Sequence, residues 1–465
     1  MNYISTRGEA PTVGFLEAVL AGLAPDGGLY VPEAWPGLSH AQIADFAGRP
    51  YAEVAAEILS RFAGGSIKRA AVDEICADAY ASFSHAATVP LVQLAPGRFL
   101  LELFHGPTLA FKDVAMQLLA RLYDHALAAQ GRTLTIVCAT SGDTGGAAVE
   151  AFRGRANVRI VALFPDGRIS EVQRRFMTTT DDANVACVAV DGTFDDCQAI
   201  LKDLFQDAQF AQSVDLSGVN SINFARIAAQ AVYYFTAAVA LGAPHRKVAF
   251  ATPTGNFGNA YAGFVAARMG LPIERIIAAT NANDIVCRAI EEGRYARGEV
   301  RQTQSPAMDI QVASNFERLY FETTERDAVE TARAFTAFAQ LGAIDIPPRS
   351  LAAMRSVLRG AAVSEDETRR TILATLNETG EIVDPHTAVG LAAATRIGPA
   401  DPQTPLVALS TAHPAKFPEA VEAACGVAPQ TPLRAAALAG RTERFERLPA
   451  DAEAVKAHVR AFAGR

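Results

Sequence analysis

The chain lacks most of the features that would assign a protein to a class at sight. Its six cysteines (Cys76, Cys138, Cys187, Cys197, Cys287 and Cys425) are scattered over 465 residues, and none falls in a Cys-x-x-Cys pair. That argues against a disulfide framework or a zinc site and for reduced, mostly buried thiols, so no metal is expected. There is no basic block, and the formal net charge is −8. A nucleic-acid surface needs clustered Lys and Arg, so no nucleic-acid partner is expected. No apolar run approaches the ~20 residues of a membrane span, so no membrane partner is expected either. The opening M-N-Y-I-S-T-R-G-E has no basic region followed by an apolar core, which predicts no signal peptide and a cytoplasmic protein. Neither G-x-G-x-x-G nor G-x-x-x-x-G-K-[ST] occurs, which weakens a dinucleotide reading and a nucleoside-triphosphatase reading.

What remains is a soluble globular composition, 50% hydrophobic and 20% charged, on a chain long enough for two or three domains. Residues 1–85 read as a mainly helical region, with an amphipathic run from Val13 to Leu23 and the turn Pro25-Asp26-Gly27-Gly28. From about residue 86, short β-branched runs alternate with helical periods. Phe99–Leu103, Thr133–Cys138, Val158–Phe164 and Val185–Val190 are strand candidates. A long apolar helix is predicted from about Ala225 to Leu241, then strands at Val248–Ala251, Ile276–Thr280 and Val407–Thr411. The alternation predicts an α/β fold with two open, mainly parallel sheets flanked by helices. We divide it into a smaller unit at 86–240 and a larger one at 241–465, with an insertion of loop and helices at about 296–380.

Three stretches carry chemistry. In F-H-G-P-T-L-A-F-K-D, residues 104–113, a Gly-Pro turn and an apolar run deliver Lys112. An ammonium placed in apolar surroundings loses pKa, which is what a lysine needs to act as an amine nucleophile. Taken alone, Lys112 is equally a helix-start lysine paired with Asp113. The second feature is a pair of strand–loop–helix units with glycine-rich turns, S-G-D-T-G-G at 141–146 and T-G-N-F-G-N at 254–259. Glycines admit an anion close to the backbone, and the helix that follows offers free N–H groups and its positive dipole end. Ser141, Thr144, Asn256 and Asn259 add neutral donors suited to a phosphate or a carboxylate. Third, the late strand ends at Ser410-Thr411, and ligands of open α/β sheets sit beyond the carboxyl ends of strands. His105, His386 and His413 lie beside turns and read as structural.

These motifs, together with F-L-E-A-V-L-A-G-L-A-P-D-G-G-L-Y-V-P, N-S-I-N-F-A-R-I, M-D-I-Q-V-A-S-N-F-E-R, D-P-H-T-A-V-G and S-T-A-H-P-A-K-F, span nearly the whole chain. In this combination the chain resembles the threonine synthases, pyridoxal-phosphate lyases of the tryptophan-synthase-β-like fold. The resemblance implies pyridoxal 5'-phosphate as cofactor and O-phospho-L-homoserine as substrate, converted with water to L-threonine and phosphate, in a monomer or homodimer. It implies Lys112 as the Schiff-base lysine, Gly255, Asn256, Phe257, Gly258 and Asn259 as the cradle of the cofactor phosphate, and Thr411 facing the pyridine nitrogen. Ser141, Gly142, Asp143 and Thr144 would form the substrate loop, with Arg226, Arg318 and Lys416 as candidates for the substrate phosphate. Since a carboxylate facing a substrate carboxylate is unfavourable, Asp143 is expected to turn toward backbone N–H groups.

Overall fold

The computed structural model describes residues 1–464. Two sheets dominate it. In the first, five parallel strands and one antiparallel edge strand run in the order Leu358–Ala362, Ile273–Thr280, Val248–Pro253, Leu406–Ser410, Arg98–Glu102 and Leu91–Ala95. In the second, all parallel, the order is Glu446–Pro449, Val185–Asp191, Val158–Pro165, Leu134–Ala139 and Leu216–Ser217. The central strands are buried along their length, as continuous apolar runs covered by helices on both faces must be.

The helix Phe224–Ala240 is buried on nearly every side and joins the two sheets' helical layers to the N-terminal region. Asn223 caps it, its side chain accepting from Ala225 N, and no glycine or proline interrupts it. Each of its fully buried aromatics, Phe224, Tyr233, Tyr234 and Phe235, contributes about 2 kcal/mol through burial.

Three placements differ from the sequence expectation. The N-terminal region holds the expected helices Tyr51–Ala63 and Arg69–Ala81, but also a three-stranded antiparallel sheet of Asn2–Ser5, Val13–Gly14 and Tyr30–Pro32. Strand Arg98–Glu102, grouped above with the unit at 86–240, pairs instead with Leu406–Ser410 in the larger sheet. Strand Leu358–Ala362 and helix Pro385–Ile397 fall where no such element was read, and the chain's last strand, Glu446–Pro449, completes the smaller sheet. No helix among the described residues is long and apolar enough to cross a membrane.

Candidate active site

Parallel strands that start together also end together, so their carboxyl-end loops gather at one edge. Strand Val248–Pro253 delivers the loop from Thr254, and its neighbour Leu406–Ser410 delivers Thr411. The next strand, Arg98–Glu102, leads to the lysine segment. That segment is zipped to the end of the middle strand. Leu103 N donates to Ser410 O at 2.9 Å, Phe111 N to Thr411 O at 2.8 Å, and His413 N to Leu109 O at 3.0 Å. Lys112 then opens the helix Lys112–Gln130. The turn before it is closed by Asp113. Its carboxylate accepts from Thr108 N and Thr108 Oγ1, both at 2.7 Å, although burial raises its pKa to about 6. Asp113 therefore braces the turn that aims Lys112 and leaves the ammonium to another partner.

That partner is Asp143, from the other sheet. Strand Leu134–Ala139 ends in Thr140, whose hydroxyl accepts from Gly142 N at 2.9 Å and Gly145 N at 2.8 Å. Gly142 takes φ 125°, a conformation open to glycine, and Asp143 starts the helix Asp143–Phe152. Asp143 does not turn toward backbone N–H groups, as expected above. Its Oδ1 meets Lys416 Nζ at 2.7 Å and Gln173 Nε2 at 2.9 Å, and its Oδ2 lies 3.7 Å from Lys112 Nζ. Burial would raise this carboxyl, but Lys416 and Lys112 outweigh it and hold the group far below the ordinary carboxylate range. For Lys112 the balance runs the other way. Burial lowers its pKa, Asp143 opposes the shift, and Lys416 and Arg226 add to it.

The loop at 254–259 carries no charge. Phe257 sits at φ 62° and precedes the helix Gly258–Arg268. Gly255 backs onto the turn Pro306–Met308 so closely that a Cβ would lie 2.7 Å from Ala307 O. Asn256 O accepts from Asn315 N and Asn315 Nδ2, each at 3.1 Å, and Ser314 Oγ donates to Asn256 Oδ1 at 3.2 Å. Tyr233 Oη donates to Asn259 Oδ1, which orients the amide and leaves Asn259 Nδ2 buried without a partner among the described residues, as is Thr254 Oγ1. Behind the loop, Ala307 N donates to His386 Nε2 at 3.2 Å, while His386 Nδ1 meets buried Asp384 at 2.7 Å. Asp384 also accepts from Thr387, whose hydroxyl lies 3.1 Å from Ser410 Oγ. One Asp-Pro-His-Thr helix start thus ties the Pro306–Met308 turn behind the glycine loop to the strand end that carries Thr411.

The three cation candidates separate. Lys416 is committed to Asp143 and to Thr108 O at 2.8 Å. Arg318 donates to Tyr30 O, Ile222 O and Asn315 Oδ1, so every nitrogen of its guanidinium is engaged by the scaffold. Arg226 is equally buried, yet it donates only to Val219 O, its Nε has no partner among the described residues, and burial pulls its pKa down to about 10. It has no ion-pair partner among the described residues and acts on Lys112. Of the site's groups, Gln173 was not read from the sequence, Thr254 was read only as the start of its loop, and His386 was read as structural with no link to Asp384. Only the last had a local signal, an Asp before Pro at a helix start.

The chain has close relatives. Residues 2–80 match the family described as Threonine synthase N terminus, 90–361 that of pyridoxal-phosphate dependent enzymes, and 387–459 that of Threonine synthase, C-terminal. It is 48% identical to the threonine synthase of Pseudomonas aeruginosa over 460 residues, 99% of this chain and 98% of the relative. The crystal structure of PLP-bound threonine synthase from Brucella melitensis superposes with a TM-score of 0.97 at 51% identity, covering 100% of both chains. Threonine synthase from yeast superposes with a TM-score of 0.94 at 36% identity, covering 100% of this chain and 99% of the other. By sequence along its whole length and by fold, the chain belongs to the threonine synthase family of pyridoxal-phosphate-dependent enzymes.

Proposed function

We propose that this protein is a threonine synthase: it converts O-phospho-L-homoserine and water to L-threonine and phosphate using pyridoxal 5'-phosphate. The observation that carries the reading is the placement of Lys112. It is a buried lysine whose pKa is lowered by burial, and it follows a strand of the same sheet that delivers a glycine loop with unpartnered donors.

The residues fit the cofactor. Asn259 Nδ2 and Thr254 Oγ1 are buried polar atoms without partners among the described residues, and burying such atoms unpaired is costly. A phosphate group at the start of helix Gly258–Arg268 would give such atoms a partner and would meet the positive end of the helix dipole. In this reading Gly255, Asn256, Phe257, Gly258 and Asn259 would hold that phosphate, Lys112 would hold the cofactor covalently through its amine, and Thr411 would offer its hydroxyl to the cofactor ring. When bound, the cofactor supplies an electron sink that lets protons leave the carbons next to the substrate amino group.

The chain's own groups do the rest. Lys112 Nζ takes and returns those protons, and burial, by lowering its pKa, raises the fraction of neutral amine over that of an exposed lysine. Ser141 and Thr144 bind the substrate carboxylate at the start of helix Asp143–Phe152, and Gly142, whose N–H is already given to Thr140 Oγ1, shapes the turn that presents them. Arg226, the buried guanidinium without an acid partner, takes the substrate phosphate, whereas Arg318 and Lys416 serve through the scaffold and through Asp143. The two sheets act as two units, one carrying the cofactor loop and the other the substrate loop.

The purified protein is expected to show a visible absorbance band at the blue edge of the spectrum, to lose it in Lys112→Ala, and to release phosphate from O-phosphohomoserine with equimolar threonine. Light scattering of the same sample distinguishes a monomer from a homodimer. Turnover of serine or threonine alone, with none of O-phosphohomoserine, would overturn the assignment.

A further inference from the structure

Lys112 is faced by three charged groups, the Asp143 carboxylate and the cations of Lys416 and Arg226, with the Phe111 ring 5.9 Å away. Two of the three charges therefore repel an ammonium at this position, and burial disfavours it further. Left to those terms, Lys112 would be a poor proton acceptor. The opposing term is a single carboxylate, and its aim is built in several steps.

Asp143 divides its oxygens between two tasks. Oδ1 is occupied by Lys416 Nζ at 2.7 Å and Gln173 Nε2 at 2.9 Å, and Oδ2 is left toward Lys112 Nζ at 3.7 Å. At that separation the attraction is electrostatic and does not tie the amine down. Gln173 is itself held in a capping box. Its Oε1 accepts from Ser170 N at 3.2 Å, and its own N donates to Ser170 Oγ at 3.2 Å. Gly142 lies against the same amide, where a Cβ would stand 2.5 Å from it. Lys416 is pinned from its other side by Thr108 O at 2.8 Å and covered by the Phe176 ring at 5.6 Å. Neither partner can swing without breaking a buried hydrogen bond.

We propose that Asp143 is a positioning residue that sets the proton affinity of Lys112, with Gln173 and Lys416 aiming its carboxylate. The inference rests on Lys112 being the proton-carrying group of the proposed reaction. It also explains why a carboxylate is compatible with an anion-binding loop: its charge is spent on the two lysines and not on the substrate.

The two charged partners make opposite predictions. Asp143→Asn removes the attraction and lowers the Lys112 midpoint. Lys416→Met removes both a repulsion and a competitor for the carboxylate, and raises it. The midpoint is read on cofactor-free protein by trace acetylation across pH, with mass spectrometry of the peptide holding Lys112, since only the neutral amine reacts. Asp143→Asn is expected to shift it down by about one pH unit or more, so that labelling at neutral pH speeds about tenfold. If Asp143→Asn does not fold because Lys416 is stranded, the double variant Asp143→Asn/Lys416→Met is compared with Lys416→Met, and the same downward shift is expected. An unmoved midpoint in both comparisons, or a downward shift in Lys416→Met, overturns the proposal. A wild-type protein that takes up no pyridoxal phosphate would sink the proposed function instead, and the labelling midpoints would still be read.

Discussion

The loop at Thr254–Asn259 belongs to one sheet, the cluster around Lys112 joins that sheet's lysine segment to Asp143 of the other, and the two are built by opposite means. The loop has no charged side chain. It relies on backbone, amide and hydroxyl donors, on a helix start and on a glycine pressed against the Pro306–Met308 turn. The cluster is built from charges, three cations and one carboxylate, all buried. A neutral cradle binds a phosphate without perturbing the titration of its neighbours, so it suits a group that stays put. A charged cluster changes its balance whenever a proton or an anion arrives, so it suits the side where bonds change. The difference also predicts how each side fails. The cradle should fail by shape, and the cluster by charge.

The largest expected effect is on the charged side. Lys112→Ala should cut turnover by roughly 10³-fold or more, because proton transfer through a positioned base is itself worth that much. It should also abolish the visible band while leaving the far-ultraviolet circular dichroism unchanged. Near-normal turnover in this variant would remove the basis of the comparison.

Next comes shape. Gly255→Ala puts a Cβ 2.7 Å from Ala307 O and 3.2 Å from Met308 Cα, both backbone atoms that cannot step aside alone. Overpacking of this kind costs about 1–3 kcal/mol. Titrating the cofactor-free variant with pyridoxal phosphate should show affinity weakened by roughly 10- to 100-fold, with the Lys112 labelling midpoint unmoved. A midpoint that moved would mean that the two sides are not separable.

How much of this was visible in the chain itself depends on distance along it. The glycine loops and Lys112 are contiguous motifs, and strand Val248–Pro253 is a plain apolar run, so each was read from its own residues. Strand Leu358–Ala362 was missed because Leu-Arg-Gly-Ala-Ala alternates nothing and contains a glycine, and it is a strand only by pairing with Ile273–Thr280. Strands Asn2–Ser5 and Val13–Gly14 of the N-terminal sheet have four residues and two, too short for a period. The partners of Asp143 lie 30 residues away at Gln173 and far beyond at Lys416, and no local pattern connects them. The same limit explains why Arg226 and Arg318 looked alike. Only their surroundings tell a scaffold arginine from a free one.

That pair sharpens the charged side. Arg226→Met should raise KM for O-phosphohomoserine about 10- to 100-fold, the loss of a charge-assisted contact or two, with little change in melting temperature. Arg318→Met should do the reverse. It strands the carbonyls of Tyr30 and Ile222 and the Asn315 amide, at a cost of about 3 kcal/mol in stability, and leaves KM of the folded fraction unchanged. Finding the two phenotypes exchanged would move the substrate phosphate to Arg318.

The smallest effect tests a group that lies between the two sides. His413 follows Thr411 on the strand end, packs edge-on against Phe104, and accepts from Ala415 N at 3.1 Å through Nδ1. Burial lowers its pKa to about 4, with Glu102 opposing the shift. The folded state therefore binds this proton less readily than the unfolded chain, whose histidine titrates near 6.5. Its stability contribution is complete above about pH 6.5 and falls as pH drops toward 4, with roughly 2 kcal/mol gone by pH 5. Denaturant melts at pH 7 and pH 5 should show that difference in the wild type. His413→Asn, whose side-chain oxygen can still accept from Ala415 N, should lose it while the other acid-sensitive groups remain. If the variant keeps the full drop between pH 7 and pH 5, the acid sensitivity of this region belongs to the charge cluster and not to the strand end. The boundary between the two sides would then lie at Thr411.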